Sequence, residues 1–269
     1  MSISRRIGEA SEGADGGSHD ARIHDQFTRQ AARFARSSEL HGDAQIMLLV
    51  DATEPKPNDE SLDVACGPGT VVAGFATRVR RAVGLDTTDA MLDQARALAL
   101  QRQLDNVEWR RGDVYRLPFA DRSFDIVSCR FAFHHFQEPA KAFSEMTRVC
   151  RPGGRVVLCD ALASCDAAKA AAFNRMERHR DPSTVGFRSL PFLIDLFAQA
   201  GFPPPAIVRF QVAYQRDVLI AKSFPANDER DALREMIDDL IGSDALETGT
   251  APGGTAFIYP AAILAATRA

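Results

Sequence analysis

A short apolar run that ends in a glycine turn is the part of the sequence best suited to bind a ligand. It carries an acid at Asp63 and small residues at Ala65, Gly67 and Gly69. Small residues let the backbone approach a bound molecule, and doubly wound folds bind nucleotides at such strand-to-helix turns. The run predicts a nucleotide-type cofactor, although buried strands that simply end in Gly-Pro-Gly look the same.

A second acid, Asp86, ends the next short apolar run, about 20 residues beyond the glycine turn. This separation is typical of a carboxylate that accepts hydrogen bonds from ribose hydroxyls. The alternative is a cap on the helix that begins near Thr87, because Asp and Thr are both favoured at helix N-termini.

The elements that must position these residues alternate between strand and helix from Leu62 to Asp160. Such alternation predicts parallel βαβ units. Crossover helices are expected at 70–77, 90–100 and 138–149. Outside this region we expect helices at 23–34, 43–50, 167–178, 192–200 and 228–241, strands at 206–214 and 256–266, and a loop at 242–254.

Five segments in this order resemble the motifs of class I S-adenosylmethionine-dependent methyltransferases. They are 63–69, Asp86, 111–114, 124–130 and 149–157, with Ala65 in place of the family's usual first glycine. The resemblance covers 20–163 well and the C-terminal part loosely. It implies an α/β fold: a Rossmann-like, seven-stranded, mostly parallel sheet with helices on both faces and a terminal antiparallel hairpin.

Further segments are similar to small-molecule enzymes related to the ubiquinone and menaquinone C-methyltransferases. These are 117–119 with 123–125, His134-His135, 143–149 and 180–183. The resemblance implies a small-molecule acceptor methylated on C, O or N. The first residues are rich in Gly, Ser, Glu and Asp, so we expect a disordered leader at 1–18. The rest is expected to be one methyltransferase domain at 19–269, with an N-terminal helical cap (19–50) and a lid insertion (161–191).

The resemblance implies S-adenosyl-L-methionine as cofactor. Asp113 would accept from the adenine amino group, the Val114 amide would donate to a ring nitrogen, and the Arg130 carbonyl would meet the cofactor ammonium. Asp63 would orient the turn or reach the ammonium through a water. The other expected cofactor residues are Ala65, Gly67, Gly69, Asp86, Thr87, Met91 and Gly112. A turn cap at Asp113 and a core position for Met91 are the alternatives.

Acceptor chemistry is expected at His134 and His135, which follow the fourth strand beside the expected methyl position. A neutral histidine can accept a proton near pH 7. The alternative is that one of the two packs in the core and donates to a carbonyl.

An apolar acceptor pocket is expected at Phe27, Phe133 and Phe173, chosen from a set of phenylalanines that also includes 34, 131 and 187. Arg178 to Arg180 could bind an anionic acceptor group or form a solvated surface. His24 is expected on the surface of the N-terminal helix.

Composition limits the remaining possibilities. A formal net charge of −4 over 269 residues disfavours a nucleic-acid partner. The sequence has no bilayer-length apolar run, no secretory signal and no metal-type Cys-x-x-Cys pair. We expect five reduced cysteines, a cytoplasmic location, no membrane contact, no metal, and a monomer or homodimer.

Two other functions fit parts of the pattern. A cofactor-binding scaffold or sensor would keep the fold without catalysis. An NAD-dependent oxidoreductase is the weaker alternative, because the turn lacks the third glycine of the dinucleotide fingerprint and Asp113 would have no assigned task.

Overall fold

The computed structural model describes residues 16–34, 43–225, 229–241, 248–251 and 254–269. Nine helices lie in this part of the chain: α1 (Gly16–Phe34), α2 (Asp43–Asp51), α3 (Thr70–Ala76), α4 (Asp89–Gln101), α5 (Pro139–Val149), α6 (Ala167–Arg180), α7 (Leu190–Gln199), α8 (Arg216–Lys222) and α9 (Arg230–Leu240). The first fifteen residues of the expected leader lie outside the described residues, and the last three belong to α1.

The strands of the described chain form one mixed sheet. They are β1 (Glu60–Val64), β2 (Arg81–Asp86), β3 (Val107–Arg111), β4 (Phe124–Arg130), β5 (Cys150–Ala161), β6 (Ala206–Gln215), β7 (Thr248–Ala251) and β8 (Gly254–Thr267). Their order is β3-β2-β1-β4-β5-β8-β6, with β7 paired to β8. The first five strands are parallel, and β8 is antiparallel to both neighbours.

The order of the strands reverses between β1 and β4, which lie side by side in the middle of the sheet. In open α/β sheets, ligands bind beyond the carboxyl ends of the strands at such a switch point. The glycine turn follows β1 and therefore lies at this position.

Both faces of the parallel sheet are buried. On β4, Ile126 belongs to one apolar cluster and the adjacent Val127 to the other, because successive side chains of a strand point to opposite faces. Phe143 of α5 and Phe197 of α7 pack in the cluster of Val127, and Phe75 of α3 packs in that of Ile126. These layers produce the helix–sheet–helix architecture expected from the near-continuous apolar runs.

A third apolar cluster joins the C-terminal elements to the sheet edge. It contains Phe173 of α6, Leu219 of α8, Leu233 of α9 and Phe257 of β8. The cluster fixes α6 beside the C-terminal strands, and it shares Ala161, Phe187, Val212, Tyr214, Leu219 and Tyr259 with the lining of a cavity described below.

The terminal strands confirm the expected antiparallel pair. β6 and β8 are antiparallel, but α8, α9 and β7 separate them in sequence. The loop expected at 242–254 contains β7, so that prediction is wrong at 248–251. Its sequence, Thr-Gly-Thr-Ala, has no apolar alternation, and its strand conformation depends on pairing with β8. No helix among the described residues is long and apolar enough to cross a membrane.

Candidate active site

The turn after β1 has an uncommon backbone. Ala65, Gly67 and Gly69 all have positive φ angles, of 57°, 52° and 81°. Left-handed backbone is easy for glycine and costs an alanine of the order of 1 kcal/mol. Ala65 nevertheless adopts it, so the surrounding structure holds the turn in this shape.

Gly69 and Gly112 lie outside the residues that line the ligand cavities described below. A Cβ at Gly69 would stand 2.5 Å from Cη2 of Trp109, and a Cβ at Gly112 would stand 2.7 Å from Cδ1 of Leu85. Close packing against these side chains accounts for both glycines without a ligand.

A cavity of about 260 Å³, called the cleft here, opens at the switch point. It is lined by nine of the expected cofactor residues: Asp63, Ala65, Gly67, Asp86, Thr87, Met91, Asp113, Val114 and Arg130. Helix α1 contributes His19, Asp20, Ile23 and Phe27 to another wall.

Asp86 is tied to the backbone on both sides of the cleft. Its Oδ2 accepts a hydrogen bond from the Gly67 amide, and its Oδ1 accepts one from the Thr88 amide, both at 2.9 Å. Burial raises the pKa of Asp86, and these backbone donors oppose the rise. Asp86 also lines the cleft, and a carboxylate there can accept hydrogen bonds from a ligand.

Asp63 is an almost fully buried acid beneath the turn. The Ser128 hydroxyl donates to its Oδ1 at 2.6 Å. Burial raises the pKa of Asp63 to about 7, and the Ser128 hydrogen bond and the charge of Arg130 act in the opposite direction. A cationic ligand in the cleft would stabilise the ionised form.

Asp113 and Met91 each combine a local role with a place in the cleft. Oδ1 of Asp113 accepts from the Tyr115 amide at 2.9 Å, which is the turn-capping alternative, while Asp113 also lines the cleft. Met91 is 1% exposed and lines the cleft from α4. The sequence offered a local role and a place at the cofactor as alternatives. In the structure both residues have the local role and also line the cleft.

A second cavity of about 120 Å³, called the chamber here, adjoins the cleft. Both cavities are lined by Phe27, Phe131 and His135. The rest of the chamber wall is aromatic, aliphatic and polar, and consists of Gln30, His134, Ala161, Arg180, Asp181, Phe187, Val212, Tyr214, Leu219, Lys222, Phe224 and Tyr259.

His134 is held in one orientation in the chamber wall. Its Nδ1 lies 2.9 and 3.0 Å from the two carboxylate oxygens of Asp160, and its backbone amide also donates to Asp160. The ring stacks on Phe187 at 4.1 Å. Because Nδ1–H donates a hydrogen bond to the Asp160 carboxylate, the neutral imidazole carries an unprotonated Nε2, which can act as a base.

His135 lies in a different environment. Its Nδ1 donates to the Ser183 carbonyl at 3.1 Å, and its ring meets that of Phe27 edge to face. Burial, together with neighbouring His134, lowers the pKa of His135 to about 4. His135 therefore stays neutral near pH 7. It donates to a carbonyl, as one alternative expected, but it lines both cavities.

The expected acceptor phenylalanines are only partly brought together. Phe27 lines both cavities, while Phe133 and Phe173 are buried in the core, 2% and 1% exposed, and line neither. Phe131 and Phe187 line the chamber instead. Phe131 lies two residues before Phe133, and the ring of Phe187 packs against that of Phe173 with centroids 5.2 Å apart, so each buried residue has a cavity-lining neighbour.

Of the basic segment on α6, Arg180 reaches the chamber. Arg178 is exposed and donates to the Val185 carbonyl, and Nε2 of His179 contacts the Glu229 carbonyl. His24 is exposed, as expected. Arg180 forms an ion pair with Glu177, whose side chain is fully buried.

Sequence reasoning missed several polar residues of the site. Asp160 lies near the end of β5, much as Asp86 ends β2. An acid near the end of an apolar run was therefore the sequence signal that could have identified Asp160 as a site residue. Asp181 and Ser183 are joined to His135 through hydrogen bonds. Tyr214, Lys222 and Tyr259 come from C-terminal elements that carried no motif.

The charge of the cleft selects between nucleotide classes. Four carboxylates line it, from Asp20, Asp63, Asp86 and Asp113, and among its described lining residues Arg130 is the one Arg or Lys. A pyrophosphate would meet mostly negative charge there. A cationic nucleoside such as S-adenosylmethionine suits this cleft better.

A family model described as "Methyltransferase domain" matches residues 62–158. This segment runs from β1 into β5 and includes Asp63, Asp86 and both histidines. It therefore contains most of the residues that line the cleft.

Relatives with this domain extend the similarity. The uncharacterized methyltransferase YcgJ of Bacillus subtilis is 29% identical over 211 residues, which are 76% of this chain and 83% of YcgJ. A demethylmenaquinone methyltransferase of Renibacterium salmoninarum is 38% identical over 113 residues, 42% of this chain and 46% of that protein. This chain thus spans less than half of that relative.

Solved structures show the same architecture. The crystal structure of YcgJ superposes with a TM-score of 0.73 at 28% identity, and covers 84% of this chain and 99% of YcgJ. A putative methyltransferase of Bacillus halodurans gives 0.74 at 28% identity with the same coverage. The chain thus carries a methyltransferase domain, and its relatives and strand order make it similar to the class I S-adenosylmethionine-dependent methyltransferases.

Proposed function

We propose that this enzyme transfers a methyl group from S-adenosylmethionine in the cleft to a small molecule in the chamber. The observation that carries the proposal is the junction of the two cavities at Phe27, Phe131 and His135. Methyl transfer needs the acceptor atom in line with the bond that breaks, so two adjoining cavities suit it.

The strand-end acids are assigned to the nucleoside. Asp86 accepts from the ribose hydroxyls, since its carboxylate lines the cleft at the end of β2 and the backbone bonds to Gly67 and Thr88 hold it in place. Asp113 accepts from the adenine amino group, and the Val114 amide donates to a ring nitrogen. Met91 and Thr87 contact the nucleoside from the start of α4 and the turn before it.

The turn and the buried acid are assigned to the amino-acid portion. Ala65 and Gly67 bring the backbone close to it, and the Arg130 carbonyl accepts from its ammonium. Asp63, whose pKa of about 7 makes its charge responsive to a nearby cation, holds the turn from below and supplies a negative charge.

The cofactor supplies an electrophilic methyl group on a sulfonium sulfur. His134 acts on the acceptor: its Nε2 takes the acceptor's proton, while Asp160 stabilises the imidazolium that forms. As the acceptor atom bonds to the methyl carbon, the sulfur–carbon bond breaks and its electron pair stays on sulfur. The balance is a methylated acceptor, S-adenosylhomocysteine and one proton on His134.

His135 is assigned a structural role at the junction. Its pKa of about 4 makes it a poor proton acceptor at neutral pH. The rings of His135 and Phe27 together separate the cofactor in the cleft from the acceptor in the chamber. The hydrogen bond from His135 to the Ser183 carbonyl fixes the loop after α6.

A methyl-transfer assay with radiolabelled cofactor and a panel of small acceptors tests the proposal. Val212→Phe should fill part of the chamber and abolish transfer, while affinity for S-adenosylhomocysteine stays unchanged because Val212 does not line the cleft. Val208→Phe, at an exposed position of the same strand, is the matched control. Equal transfer by wild type and Val212→Phe would place the acceptor outside the chamber.

A further inference from the structure

Arg180 is held against the chamber by a buried partner. Its Nε and Nη2 both contact Oε2 of Glu177, at 2.9 and 2.8 Å. Glu177 is completely buried, and the Tyr259 hydroxyl donates to its other oxygen at 2.6 Å. The Arg180 side chain is 20% exposed and lines the chamber.

This arrangement leaves donors for a ligand. The guanidinium group has five N–H donors, and the contacts to Glu177 involve Nε and Nη2. The two N–H groups of Nη1 are therefore not used by Glu177 and can donate to a ligand. A buried ion pair contributes little net stability, so a carboxylate and a tyrosine that orient an arginine toward a cavity indicate a binding role.

The charges around Arg180 favour an uncharged ligand oxygen. Glu177 neutralises Arg180, and Asp181, which is 5% exposed, adds a second carboxylate in the chamber wall. Asp160, which pairs with His134, adds a third carboxylate. Three carboxylates therefore surround a chamber whose wall contains two cations, Arg180 and Lys222. An anionic ligand would meet a chamber that is already acidic, whereas a carbonyl oxygen accepts a hydrogen bond without added charge.

The size of the chamber limits the ligand to about one ring. Its 120 Å³ is close to the roughly 150 Å³ of an engineered apolar cavity that binds benzene. The aromatic side chains of Phe131, Phe187 and Tyr214 in its wall suit a flat ring.

We propose that Arg180 is a specificity-determining residue that donates to an uncharged carbonyl oxygen of a single-ring acceptor whose hydroxyl group meets His134. This inference rests on the proposed function, because it places the acceptor in the chamber. It adds the chemical class of the acceptor and the residue that selects it.

Calorimetry on the full chain saturated with S-adenosylhomocysteine tests the inference. The probes are phenol, 4-hydroxybenzaldehyde and 4-hydroxybenzoate, at about pH 6, where phenolic hydroxyls are un-ionised. Wild type should bind the aldehyde about tenfold more tightly than the other two, the size of effect expected for one hydrogen bond to a charged donor. Arg180→Met should reduce aldehyde binding to the level of phenol.

Two further variants control this comparison. Arg175→Met, at an exposed position of the same helix, should keep the preference for the aldehyde. The double variant Glu177→Gln/Arg180→Met avoids an uncompensated buried carboxylate and should behave as Arg180→Met does.

Each remaining outcome overturns a stated part of the inference. A preference for the aldehyde that survives the loss of Arg180, tightest binding of 4-hydroxybenzoate, or no binding of any probe by wild type would contradict it. S-adenosylhomocysteine affinity is measured first on the same samples. Failure at that step would count against the proposed function. With the cofactor product bound, a preference for the aldehyde that survives the loss of Arg180 counts against the role of Arg180.

Discussion

The Gly67 amide donates a hydrogen bond to Oδ2 of Asp86 across 2.9 Å. This contact joins the turn after β1 to the acid that ends β2, and the Cys66 amide donates to the Leu85 carbonyl beside it. The carboxylate that we assign to the ribose therefore also fixes the backbone that we assign to the amino-acid portion. The two parts of the cleft form one hydrogen-bonded unit.

Asp86→Ala should lower affinity for S-adenosylhomocysteine at least tenfold, because each lost hydrogen bond to a charged group is worth about 1.5–3 kcal/mol. Calorimetry measures the effect, and circular dichroism checks the fold. Asp89→Ala removes an exposed acid three residues along, which pairs with Arg111, and should leave binding unchanged. Unaltered affinity in Asp86→Ala would remove this residue from the cofactor site.

Gly69→Ala should destabilise the fold by roughly 2–4 kcal/mol, since it combines a left-handed backbone with overpacking against Trp109 and Ala95. Gly201→Ala is the matched control, because Gly201 has a φ of 78° and no atom within 4 Å of the added Cβ. Urea unfolding of both variants separates the clash from the backbone cost. If both variants lost the same free energy of unfolding, the contact with Trp109 would not contribute to the destabilisation.

Asp63→Asn should stabilise the ligand-free protein above pH 7 and weaken cofactor binding. Burial raises the folded-state pKa of Asp63 to about 7 from 3.8, so the folded protein holds a proton that the unfolded chain loses between these values. The contribution of Asp63 to the wild-type free energy of unfolding thus falls as pH rises from 3.8 to 7. Asparagine does not titrate, so the variant does not lose this stability.

The difference in unfolding free energy between Asp63→Asn and wild type should be near zero at pH 4 and reach about 1 kcal/mol or more at pH 8, a shift of about 2–4 °C in Tm. Thermal unfolding at both pH values measures it. A difference independent of pH would show that Asp63 does not titrate in this range.

Asp160→Asn should lower kcat by about 10²-fold or more with little change in KM, because the His134 ring loses the partner that fixes its tautomer. Asp160 does not line the chamber, so acceptor binding is expected to persist. The pH–rate profile should shift as well, which a purely structural effect would not cause. Asp195→Asn, at an exposed position, serves as control.

The sequence was sufficient for the parallel part of the fold, because its signals are local. Apolar runs that end in Asp86 or in the glycine turn mark strand ends, and strand ends meet at one edge of the sheet. The same reasoning gathered nine of the cleft residues. It could not separate Gly67 from Gly69, because the difference lies in Trp109, 40 residues away in the chain.

The chamber was harder to predict because distant segments build it. Tyr259 of β8 orients Glu177 of α6, and Asp160 of β5 orients His134. No periodicity or spacing links these positions. The choice between Phe133 and Phe131 also depended on the short 3₁₀ turn at Phe133–His135, which turns Phe133 into the core.

The rate of methyl transfer by His134→Ala, measured beside His135→Asn on samples of confirmed stability, tests the central claim most directly. If His134 removes the acceptor's proton, His134→Ala should lower kcat by about 10²–10⁴-fold and leave S-adenosylhomocysteine affinity unchanged. His135→Asn should keep most of the rate. Turnover by His134→Ala within a few-fold of wild type, in a folded protein that binds the cofactor product normally, would contradict the account.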